Sequence, residues 1–60
     1  MDKRTKFLKI YADLPLGIRR EIVAVVDDEP VSWNAAKLEV EFKTVKGKEI
    51  LKILTDLKII

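Results

Sequence analysis

Ile22-Val23-Ala24-Val25-Val26-Asp27-Asp28-Glu29-Pro30-Val31-Ser32-Trp33 is the stretch on which the fold of this chain turns. Two readings compete for it. Ile18, Ile22, Val25 and Val26 fall at i, i+4, i+7 and i+8, which is one face of a helix running through Leu16–Val26. The same β-branched run also suits a strand. On that reading Asp27-Asp28-Glu29-Pro30 turns the chain back into Val31-Ser32-Trp33 as a hairpin. Pro15 fits the first turn of a helix, and the segment downstream is easier to place if a helix precedes it. Helix is therefore the expectation, with the hairpin as its rival.

Downstream, Ser32 is placed to cap a helix from Trp33 to about Glu41. Ala35-Ala36-Lys37-Leu38-Glu39 is strong helix-forming sequence, and Ala35, Leu38 and Phe42 fit one face. A strand is the alternative, because Leu38, Val40 and Phe42 alternate with Glu39, Glu41 and Lys43. The last segment is the clearest: Ile50, Leu51, Leu54 and Leu57, widened by Ile53, mark an amphipathic helix that Thr44 can cap. Gly47 inside it costs about 1 kcal/mol relative to alanine, so it needs a reason, and close approach of a neighbouring helix supplies one. Ile59 and Ile60 are expected to pack on the core. Upstream, Phe7, Leu8, Tyr11 and Leu14 lie at helical spacing over Lys3–Ala12. Asp2 caps that helix and Pro15 ends it.

Composition narrows the function. Sixty residues make one domain. With no cysteine and no histidine, the chain has no disulfide, no thiolate or imidazole metal site, and none of the usual general base near neutral pH. Asp27, Asp28 and Glu29 lack the spacing of a metal loop and read as a solvated turn. Thr5, Ser32, Thr44 and Thr55 have no base beside them, and the isolated Gly17 and Gly47 make no phosphate loop. No enzyme activity, cofactor, metal or small-molecule substrate is expected. No apolar run reaches the roughly 18 residues of a membrane span. Met1–Lys9 is basic without the apolar stretch of a signal peptide after it, so a cytoplasmic setting is expected. Charged residues at 37%, one asparagine and no glutamine lean toward a heat-adapted source.

The net charge of +2 is small, but its distribution is uneven. Over residues 21–42 Lys37 stands alone against Glu21, Asp27, Asp28, Glu29, Glu39 and Glu41. Over 43–60, Lys43, Lys46, Lys48, Lys52 and Lys58 outnumber Glu49 and Asp56. The ends are basic and the middle is acidic.

Set end to end, Pro30–Ile60 resembles the helix-turn-helix segment of winged-helix transcriptional regulators. Pro30-Val31-Ser32 resembles the entry to the motif's second helix, which carries Ala35, Ala36 and Leu38. Val40-Glu41-Phe42 occupies the turn, with Glu41 where glycine is common. Lys43-Thr44 opens the third helix, Leu51, Leu54 and Leu57 provide its buried spacing, and Arg19–Val26 stands as the first helix. Lys58-Ile59-Ile60 resembles the exit to a wing that does not follow, so the form would be wingless or truncated. The resemblance implies an all-α domain of three to four helices with helix-turn-helix topology, binding double-stranded DNA as a transcription-regulator-like or accessory protein. Lys43, Thr44, Lys46, Lys48 and Lys52 would meet the duplex from the recognition helix, and Arg19 and Arg20 would add backbone contacts. With no arginine, asparagine or glutamine in that helix, base reading should be weak. The alternative is a protein-interaction module on the same fold that binds no nucleic acid. Phe7, Leu8 and Tyr11 are either core residues or a dimer contact, and Trp33 reads as a core anchor.

Overall fold

A computed structural model describes residues 2–60. Helix α1 (Lys3–Asp13) leads through a short 3-10 turn (Ile18–Arg20) into strands β1 (Ile22–Val26) and β2 (Glu29–Ser32), then helices α2 (Trp33–Glu41) and α3 (Val45–Asp56). The strands form a two-stranded antiparallel sheet. The fold is therefore mixed α/β, and the all-α expectation is corrected. The expected first motif helix, Arg19–Val26, is replaced by the end of the 3-10 turn and β1.

The turn explains why the strand reading wins. Asp27 and Asp28 have φ of 51° and 65°, and positive φ at both central residues is what a two-residue type I′ hairpin turn requires. Aspartate tolerates that left-handed region better than most residues. Val26 pairs with Glu29, Val25 with Pro30 and Ala24 with Val31, so the loop is two residues long. Val23 is the extra residue of a bulge between Ile22 and Ala24. Ala24, Val26 and Val31 face the core, whereas Ile18 and Ile22, which the helix reading would have buried, are 40% and 55% exposed.

The helices begin where the sequence indicates. Asp2, Ser32 and Thr44 each accept from the backbone N–H three residues on, at 2.7, 3.2 and 2.9 Å. Helices α2 and α3 end alike. The N–H of Lys43 donates to Val40 and that of Thr44 to Glu39. At the end of α3, Lys58 donates to Thr55 and Ile59 to Leu54. Both are Schellman caps with a lysine in the left-handed position usually held by glycine, at φ 54° and 61°. Arg4 of α1 reaches across to donate from Nε to Val40 O and from Nη2 to Glu41 O, both at 3.3 Å. Its cation thereby meets the negative end of α2.

Phe7, Val26, Val31, Ala36, Val40, Ile50 and Leu54 form the buried cluster. Phe7 stacks on Trp33 with ring centroids 5.7 Å apart. Ile60 packs against this cluster, and Ile59 is 40% exposed. One face differs from expectation. Helix α2 buries Ala36 and Val40, whereas Ala35, Leu38 and Phe42 are exposed. Gly47 is the physical reason. A Cβ built on it would strike the Glu39 carbonyl, lying 2.7 Å from its carbon and 3.1 Å from Val40 N. Backbone contact at Glu39–Val40 turns the small residues Ala36 and Val40 inward and Leu38 and Phe42 out. Among the described residues no helix is long and apolar enough to cross a membrane.

Three outcomes follow from these contacts. Gly47→Ala should destabilise the fold by about 1–3 kcal/mol in urea unfolding, because overpacking outweighs the gain in helix propensity. Asp28→Gly should stabilise it by about 0.5 kcal/mol in the same assay, since glycine adopts positive φ without a Cβ penalty. The Asp2 carboxyl titrates below its ordinary 3.8, chiefly because the Thr5 N–H donates to the charged form. A lowered folded pKa gives a contribution that is present above 3.8 and lost as pH falls through the lowered value. Asp2→Asn should therefore flatten the acid limb of a plot of stability against pH.

Candidate interaction surface

The basic residues expected to meet a nucleic acid do not act as one group. Arg19 is turned back onto α1: its guanidinium carbon lies 4.5 Å from the Tyr11 ring centroid, and Nη2 donates to Ala12 O at 3.2 Å. Its Nε is buried without a partner. Arg20 is exposed at the end of the 3-10 turn. Thr44 is occupied as a cap, and its hydroxyl also lies 3.3 Å from Glu39 O and 3.2 Å from Glu39 Oε1. Lys46 Nζ donates to Glu29 Oε1 on β2 at 2.8 Å. That hydrogen bond raises the Lys46 pKa above its ordinary 10.5, keeping the ammonium engaged with the sheet.

Lys43, Lys48 and Lys52 are exposed, and no ion pair holds them among the described residues. They do not face solvent alone. The exposed positions of α3 are Val45, Lys48, Glu49, Lys52 and Asp56, so its outer face sets two cations against two anions. A recognition helix that neutralises phosphates gains from an excess of cations, and this face has none.

The α1 residues considered for a dimer contact are used inside the chain. Phe7 is fully buried. Leu8 and Tyr11 pack against the core, Tyr11 Oη donates to Asn34 Oδ1 at 2.6 Å, and Lys37 Nζ lies 5.6 Å from the Tyr11 ring. Phe7 thus has no surface to offer a second copy.

What the structure exposes instead is apolar. Leu38, Phe42 and Val45 are 53%, 74% and 74% exposed. Leu38 and Phe42 lie one helical turn apart on the same side of α2, and Val45 opens α3 directly after the turn, so the three gather at the α2–α3 corner. Their spacing on α2 was visible in the sequence, but its direction was not, because the Gly47 contact sets which face α2 buries. Lys43 and Lys48 border this corner, and nearby Glu41 pairs with Lys37 at 3.5 Å. A second feature is an open groove of about 400 Å³ between the end of β1 and α3, lined by Val25, Val26, Asp27, Glu49, Lys52, Ile53 and Asp56. Among the described residues no group of three or more His, Cys, Asp or Glu side chains is placed to hold a metal ion. The arrangement offers apolar contact area with a mixed-charge border. No family model, curated protein or solved structure matches this chain.

Proposed function

We propose that this chain is a protein-interaction module that docks an apolar partner segment on the corner formed by Leu38, Phe42 and Val45. The carrying observation is the exposure of these three large side chains at and beside the α2–α3 turn, where α3 approaches α2 so closely that a Cβ at Gly47 would strike the Glu39 carbonyl. Clustered exposed apolar residues with a polar border are characteristic of binding surfaces. The border selects the partner's chemistry. Lys43 and Lys48 are unpaired beside the patch, while the nearby Glu41 is engaged by Lys37. A segment with a pair of large apolar residues at helical spacing, flanked by carboxylates, fits both features.

A second reading, double-stranded DNA held by Lys43, Lys48 and Lys52, is favoured by the exposure of those three lysines at the start and along the outer face of α3. Glu49 and Asp56 on that face weigh against it.

Phage selection of short peptides against the folded chain, alongside a titration of random-sequence duplex DNA by anisotropy, separates the two. On the leading reading, enriched peptides carry apolar i, i+4 pairs with Asp or Glu flanks, and Phe42→Asp, at an exposed position that leaves the core intact, weakens their binding about tenfold or more. DNA should not bind even at low salt. Enriched peptides that bind Phe42→Asp as well as wild type would overturn the docking surface. So would duplex binding that weakens with salt at a log–log slope of about −3 and is lost in Lys48→Glu/Lys52→Glu.

A further inference from the structure

The two edges of the sheet are not alike. Pro30 on β2 has no N–H to donate and lies opposite Val25, so this pair is the non-hydrogen-bonded one and the proline ring occupies the outer edge of β2. Glu29, also exposed, adds a charge to the same strand. Proline and charge are the devices by which proteins close a sheet edge to other strands. Strand β1 has neither. It reads Ile-Val-Ala-Val-Val, with Ile22 and Val25 more than half exposed. In the alternation of an antiparallel pair, the backbone N–H and C=O of Val25 point away from β2. No backbone or side-chain group outside the hairpin bonds to β1 among the described residues. The open groove beside Val25 and Val26 leaves room along this edge.

We infer that β1 pairs antiparallel with β1 of a second copy, joining the two hairpins into one four-stranded sheet whose outer edges are the two proline-bearing β2 strands. Three observations choose a second copy over another partner. The edge is apolar along its whole length and of one length, so a two-fold axis sets it against its own equivalent, as an isologous contact requires. Exposed Ile22 and Val25 both lie on β1 itself, so one pairing draws both toward the same interface. Charge favours antiparallel over parallel pairing. Exposed Arg20 and Glu21 stand just before β1, and Asp27 and Asp28 stand just after it, so an antiparallel pair keeps the two acidic turns apart and sets each against an end that also carries an arginine. A two-stranded sheet is marginal by itself, and small domains without disulfides or metals gain stability by oligomerising. The edge is separate from the α2–α3 corner, so this inference stands whether or not that corner docks a partner.

Sedimentation equilibrium of the whole chain tests the pairing, with wild type expected at twice the 6.9 kDa chain mass. Val25→Lys places a charge on the edge at an exposed position and should raise the dimer dissociation constant about tenfold or more, with helical circular dichroism unchanged. Val25→Pro copies the protection of Pro30 without removing a bond to β2 and should do the same. Arg20→Glu should weaken the dimer less. Phe42→Asp should leave it unchanged. A wild-type monomer at millimolar concentration would overturn the inference. So would a dimer that survives folded Val25→Lys, or one that is lost in Phe42→Asp alone.

Discussion

Contact between the Gly47 Cα and the backbone of Glu39 and Val40 sets the geometry on which the surface of this domain depends. Two helices this close allow little freedom of rotation. Once Gly47 is seated, Ala36 and Val40 must point inward, where they meet Ile50, Leu54 and Phe7 in the core. Leu38 and Phe42, on the other side of the same helix, are then committed to solvent. The stability cost of a glycine within α3 and the cost of apolar side chains in water share one cause.

Local devices support that contact. Thr44 caps α3 with Oγ1 while its own N–H closes the end of α2, so one residue serves both helices across a short turn. Lys43 takes the left-handed position between them, and Arg4 brings α1 to the end of α2 through two carbonyls. Lys46 ties the start of α3 to Glu29 on the hairpin. Two cations that resemble nucleic-acid contacts in the sequence, Lys46 and Arg19, thus help to hold the elements together. Arg19 is the clearest case, laid against Tyr11 and bonded to Ala12.

The hairpin brings a different constraint. Its turn holds two aspartates at positive φ, its β2 edge is closed by Pro30, and its β1 edge is left open. The contrast between a guarded and an unguarded edge in one two-stranded sheet links local sequence to assembly, because an apolar edge strand either pairs or invites unwanted pairing.

The amino-acid sequence by itself determined the termini of the helices. Asp2, Ser32 and Thr44 act through bonds to residues three positions away, and Pro15 acts on its immediate neighbour, so local chemistry was enough. The lack of histidine and cysteine is likewise independent of fold. The need for close packing at Gly47 was also legible, because a mid-helix glycine is costly without one. Tertiary structure decided the rest. Ile22–Val26 satisfies a helical and a strand period equally well, and an Asp-Asp turn is a weaker signal than Asp-Gly, so the choice fell to which faces could be buried together. Ala24, Val26 and Val31 fit beneath α2 and α3 as a hairpin. The exposed corner of Leu38, Phe42 and Val45 was likewise beyond reach of sequence, since α2 has apolar residues on two sides and only contact with α3 determines which side faces water.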